Sequence, residues 1–122
     1  MYTIRKSFAF SAGHHLLGLP EDHQCARIHG HNYVVTVELC AATLNEVGFV
    51  KDYGELKPIK EYIDSTLDHR DLNTILEINP TAELMAKFFF NYFRDILGYK
   101  QLRAVEVSET PLTVSRYTPD YD

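Results

Sequence analysis

The chain has 122 residues, 45% of them hydrophobic and 24% charged, enough for one domain with its own core and too few for two. Its formal charge of -5, with no stripe of Lys and Arg interleaved with aromatics, speaks against a nucleic-acid groove. No apolar run approaches the ~20 residues of a membrane span, and charges in 1–7 stand where a signal peptide needs its apolar stretch, so a cytoplasmic single domain spanning 1–122 is expected.

The first element is a strand from Tyr2 to Phe10. Tyr2, Ile4, Phe8 and Phe10 alternate with Thr3, Arg5, Ser7 and Ser11, the period-two pattern of a half-buried strand. If the extended run continues, His14 falls on the side of Phe8 and Phe10. A loop punctuated by Gly18 and Pro20 follows, and then the stretch that carries most of the chemistry, from Cys25 through His29-Gly30-His31 into Tyr33. The second strand, His31 to Leu39, puts Tyr33, Val35, Val37 and Leu39 on the face of the histidine pair. Two such strands in succession suggest an antiparallel pair.

In an extended strand, His29 and His31 project to one side and form a two-nitrogen clamp. His14 supplies a third imidazole, and three histidines are the donor set of a zinc site that keeps a position open. Four of the six histidines precede Gly30; His15 and His23 are expected at the rim. Cys25, four residues before His29, can approach the open position from its loop. Cys40, at the end of the strand, is expected as a small core residue.

A helix from Tyr53 to Thr66 is expected next. Asp52 and Glu55 are read as a capping box ahead of Leu56, Ile59, Ile63 and Leu67. Asn79-Pro80-Thr81 opens a second helix, with Thr or Asn as its cap. The apolar stripe Leu84, Phe88, Phe89, Tyr92, Phe93 and Ile96 ends before Gly98. Two final strands, Leu102 to Glu109 and Leu112 to Tyr117, are joined by a turn at Thr110-Pro111. The order ββααββ predicts an α+β fold, a four-stranded antiparallel sheet with two helices on one face.

Two polar features remain. Asp68-His69 lies at the exit of the first helix, where a carboxylate can set the tautomer of an imidazole for proton transfer. Glu109 continues the Val105, Val107 face of the third strand. A carboxylate among apolar neighbours needs a donor pair, such as the amino and ring N–H groups of a guanine-like or pterin-like heterocycle.

Taken together, Phe10-Ser11-Ala12-Gly13-His14, Cys25-x-x-x-His29-Gly30-His31-x-Tyr33, Asp52-Tyr53, Leu67-Asp68-His69-x-x-Leu72-Asn73, Asn79-Pro80-Thr81-x-Glu83 and Glu109-Thr110 resemble, in order, the motifs of the 6-pyruvoyl-tetrahydropterin synthase and 6-carboxytetrahydropterin synthase family. The short Cys-to-His spacing is similar to the bacterial 6-carboxytetrahydropterin synthases of queuosine and deazaguanine biosynthesis. The resemblance implies a tunnelling fold whose protomers join into a barrel, as trimers or hexamers with sites between subunits. It places zinc (Zn2+) on His14, His29 and His31, catalysis on Cys25, Asp68 and His69, and pterin binding on Glu109, with Thr81 and Glu83 bordering the pocket. The implied reaction converts 7,8-dihydroneopterin triphosphate to 6-carboxy-5,6,7,8-tetrahydropterin, releasing acetaldehyde and triphosphate.

Within that family the alternative is 6-pyruvoyl-tetrahydropterin synthase, which releases triphosphate and leaves the carbon chain whole. Two readings stand outside it. One is a cupin-type iron oxygenase built on His29, His31 and a carboxylate. The other is a non-catalytic zinc or small-molecule binding module, whose structural metal would close four protein ligands.

Overall fold

A computed structural model describes residues 1–120. Four antiparallel strands, β1 (Tyr2–His14), β2 (His29–Ala41), β3 (Leu102–Ser108) and β4 (Ser115–Tyr117), lie side by side in chain order. The helices cover one face, as the ββααββ order predicts. Inward side chains Phe8, Phe10, Tyr33, Val35, Val37, Leu39, Val105 and Val107 pack against Leu56, Ile59, Ile63, Met85, Phe89, Phe90 and Phe93. Burying each large side chain contributes on the order of 2 kcal/mol, so this layer holds the domain together.

The β1–β2 pair is the long ladder of the fold. Its register sets Phe10 against Tyr33, Ala12 against His31, and His14 against His29. The extended run holds through His14, so the three histidines share the helix-covered face at one end of the sheet. The opposite, bare face is polar. Arg5, Glu38, Glu106 and Arg116 form a ring of ion pairs, with Arg5 to Glu106 at 2.6 Å and Arg116 to Glu38 at 2.6 Å. Cys40 also belongs to the bare face, half-buried with Sγ 3.3 Å from Thr3 Oγ1, so it is no core residue.

The first helical stretch is less regular than its sequence pattern. It is a 3₁₀ turn (Tyr53–Leu56), α1 (Lys57–Tyr62) and a π turn (Ile63–Leu67). Pro58 sits at the start of α1, where its missing N–H costs nothing. The Asp52 carboxylate caps Gly54 N–H at 2.9 Å, one residue earlier than a capping box requires, and the Glu55 carboxylate turns to Lys51. The π turn closes with Asp68 N–H on Ile63 C=O at 2.9 Å. A short helix, α2 (Leu72–Ile75), which the sequence reading did not include, follows and is capped by Asp71.

Thr81, rather than Asn79, caps α3 (Ala82–Asn91), its hydroxyl accepting from Leu84 N–H at 3.1 Å. A π turn (Tyr92–Ile96) follows. The buried stripe is Ala82, Met85, Ala86, Phe89, Phe90 and Phe93, while Leu84 and Ile96 face solvent, contrary to the sequence reading. Gly98 ends the segment at φ +84, a conformation that favours glycine. β3 stops one residue short of Glu109, and β4 is shorter than expected because Leu112 and Val114 lie in an exposed turn.

Candidate metal centre and its cavity

His14, His29 and His31 each offer a ring nitrogen, and the three atoms lie within 4.8 Å of one another. Two backbone carbonyls determine which nitrogens are free. Pro80 C=O accepts from His14 Nδ1 at 2.8 Å, and Arg27 C=O accepts from His29 Nδ1 at 2.7 Å. A carbonyl only accepts, so both Nδ1 atoms carry the proton and both Nε2 atoms present a bare lone pair. Those two Nε2 atoms are 3.0 Å apart.

Two lone pairs at that separation repel unless a cation lies between them. Burial pushes the fully enclosed His14 below its ordinary pKa and disfavours its imidazolium. A metal ion meets the requirement. It takes neutral imidazoles, and the carbonyl bonds behind His14 and His29 fix the direction in which those rings present Nε2. The three residues therefore fit a metal ion. The donor set of three nitrogens is one that zinc accepts.

Glu109 closes on the same point. Its Oε2 is 3.1 Å from His31 Nε2 and 3.4 Å from His14 Nε2. The carboxylate is thus turned toward the imidazoles. Tyr33, fully buried beside His14 and His31, has a hydroxyl with no partner among the described residues, and burial pushes its pKa up.

In front of the histidines is a cavity of about 470 Å³ whose lining includes Cys25, His29, His31 and Glu109. Cys25 sits in a 3₁₀ turn (Gln24–Ala26). His23 caps that turn, Nδ1 accepting from Cys25 N–H at 3.0 Å, a role its rim position did not disclose.

Asp68 and His69 form their pair in a different place. His69 Nδ1 is 2.9 Å from the Asp68 Oδ2, and Asp68 Oδ1 accepts from Ser11 N–H at 2.9 Å. The Ser11 amide first, and His69 second, hold the Asp68 carboxyl below its usual range. His69 adopts φ 59, an uncommon conformation for a side-chain-bearing residue, and its side chain is 80% exposed. It opens onto a second hollow of about 450 Å³, shared with Ser11, Gly13, Gly30 and Arg70. Cys25 and His69 of one chain therefore line different cavities, and His31 borders both. Thr81 is occupied as a helix cap and Glu83 is exposed in the first turn of α3; neither lines the histidine cavity.

Against known proteins, a family model described as 6-pyruvoyl tetrahydropterin synthase matches residues 3–120. The chain is similar to a 6-carboxy-5,6,7,8-tetrahydropterin synthase of Bacillus subtilis, 28% identical over 128 residues, covering 97% of this chain and 86% of that protein. The corresponding protein of Rickettsia bellii is 33% identical over 70 residues, 57% of this chain and only 49% of that protein. Among solved structures, the Caenorhabditis elegans 6-pyruvoyl tetrahydropterin synthase superposes with a TM-score of 0.85 at 28% identity. That alignment covers 98% of this chain and 96% of the other.

Proposed function

Since the chain belongs to the 6-pyruvoyl tetrahydropterin synthase family, we propose that it is a zinc-dependent 6-carboxytetrahydropterin synthase, converting 7,8-dihydroneopterin triphosphate to 6-carboxy-5,6,7,8-tetrahydropterin, acetaldehyde and triphosphate. The observation that carries the reading is the convergence of His14, His29 and His31 on one point of a cavity walled by Cys25 and Glu109. The relatives named for this activity in Bacillus subtilis and Rickettsia bellii support the choice of product.

His14, His29 and His31 would hold the ion, which supplies Lewis acidity that lowers the cost of negative charge on the substrate's side-chain oxygens. Glu109 accepts from the amino and ring N–H groups of the pterin, which orients the side chain toward the histidines. Cys25 takes a proton from one face of that side chain. His69, its Nδ1 held by Asp68, moves a proton on the other face. Thr81 and Glu83 are kept as residues of the segment bordering the pterin pocket, Thr81 acting by shaping the start of α3.

The separation of Cys25 from His69 within one chain supports assembly. A neighbouring copy would bring its own Asp68-His69 turn to the histidine cavity, and joining sheets into a trimeric or hexameric barrel pairs the free edges of β1 and β4. The single domain covers 1–122. Among the described residues no helix is long and apolar enough to cross a membrane, and the two free thiols accord with a cytoplasmic setting.

The deciding experiment is incubation with 7,8-dihydroneopterin triphosphate, followed by identification of the pterin and assay of acetaldehyde. The similarity to the Caenorhabditis elegans structure keeps the 6-pyruvoyl product as the second reading. Triphosphate release without acetaldehyde would select it.

A further inference from the structure

The segment between β1 and the Cys25 turn is held in an unusual way. The Asn73 side chain accepts from His15 N–H at 2.9 Å and donates to His15 C=O at 3.0 Å. Asn79 does the same two residues on, accepting from Leu17 N–H at 2.8 Å and donating to Leu17 C=O at 3.1 Å. Between them, Leu16 N–H points the other way and donates to Cys25 C=O at 2.8 Å.

This is the hydrogen-bonding pattern of a strand inside a sheet. Along an extended chain, alternate residues direct both backbone groups to one side and then the other. Residues 15 and 17 face one side, where no strand runs, and two primary amides, each a donor and an acceptor like a peptide unit, take the place of one. Residue 16 faces the other side and grips the backbone of Cys25. Four side-chain bonds thus fix a three-residue rail, and the rail fixes the thiol.

We infer that Asn73 and Asn79 are positioning residues for Cys25, acting through the 15–17 rail rather than on substrate or metal. Each sits where the chain reaches toward another part of the site. Asn73 lies in α2, just past the Asp68-His69 turn. Asn79 precedes Pro80, whose carbonyl holds His14. The rail therefore ties the thiol to the same two segments that place the Asp-His pair and the buried imidazole. The catalytic half of the inference rests on Cys25 being a proton-transfer group; the geometric half does not.

The test uses the zinc-loaded enzyme in a Cys40→Ser background, so that Cys25 is the one thiol. Asn73→Asp and Asn79→Asp keep the size and the acceptor but lose the donor and set a carboxylate against a carbonyl. Asn45→Ala is the control, since Asn45 holds three backbone amides, those of Val47, Gly48 and Phe49, in the loop at the far end of β2. The expected result for the two Asp variants is a kcat lower by ~10–100-fold with KM changed by less than ~3-fold, the scale of a misplaced reacting group. Zinc stays stoichiometric, and alkylation of Cys25 by iodoacetamide changes by ~3-fold or more as the rail loosens.

The control loses melting temperature without moving kcat or the alkylation rate. If an Asp variant does not fold, the Ala variant at the same position carries the same readouts. Unchanged alkylation would overturn the inference whatever happens to kcat, and so would loss of zinc, which would place the asparagines behind the histidines. Altered alkylation in a protein that turns over no pterin would retire the proposed reaction and leave the rail intact.

Discussion

Two clusters of four ionisable side chains lie on opposite faces of the same sheet, and they are built on opposite principles. On the bare face, Arg5, Glu38, Glu106 and Arg116 alternate in sign, and each carboxylate meets both guanidinium groups at 3.2 Å or less. On the covered face, the Nε2 atoms of His14 and His29 meet at 3.0 Å and the Glu109 carboxylate stands against His14 and His31, with no Arg or Lys in the cluster. The first cluster is complete within the chain. The second has the donor set of a metal site. Similar density of polar groups therefore marks structure in one case and a site in the other, and charge balance separates them.

The strongest way to break the contrast is to remove a histidine. His29→Ala or His31→Ala is expected to cut bound zinc from stoichiometric to near none and turnover by more than ~10²-fold, with the fold retained. Metal analysis and circular dichroism on the same samples check this, and full zinc content in both variants would defeat the ligand assignment.

Cys25→Ala comes next. Zinc and pterin affinity are expected to stay, while single-turnover rate falls by ~10²-fold or more, the scale of a lost acid-base group. A wild-type rate would withdraw the role. Glu109→Ala is expected to act mainly on affinity, weakening pterin binding by ~10-fold or more with zinc in place, because the heterocycle loses its charged acceptor. Titration calorimetry with a non-reacting pterin reads it directly, and undiminished binding would count against that contact.

The smallest effect belongs to the other cluster. Arg116→Met is expected to leave zinc and turnover alone and to cost about 1 kcal/mol, since both guanidinium groups are partly exposed. Its pH dependence has a definite sign. Arg116 holds the Glu38 carboxyl, and Arg5 the Glu106 carboxyl, below the ordinary value of 4.5. Their contribution is fully present above about pH 4.5 and is lost as the pH falls through the depressed folded values. Urea melts at pH 7 and pH 3 should show the Arg116→Met deficit shrinking in acid; a deficit that grows would exclude the pairing as its source.

Much of this architecture could be read from the sequence because strand periodicity is strict. One residue of slip would have turned His14 away from Phe8 and Phe10, so the alternating pattern alone put three histidines on one face. The order of elements and the sheet followed from the same signal. What escaped was of shorter range. Helical periodicity assumes 3.6 residues per turn, and the π turns at Ile63–Leu67 and Tyr92–Ile96 break it, which is why Ile96 faces water instead of the core. Asn79 and Thr81 divide what was read as one cap: Thr81 caps the helix while Asn79 reaches back to Leu17. His23 and Asn73 give no periodic signal at all, because their partners are backbone groups of loops.

The π turn before Asp68 also limits how this chain can vary in length. One residue more or less rotates everything downstream by about 100° around the helix axis, and Asp68 must leave the helix aimed at the Ser11 amide. Between Ile63 and Leu67 a single deletion would give a tidier helix and a histidine pointing the wrong way.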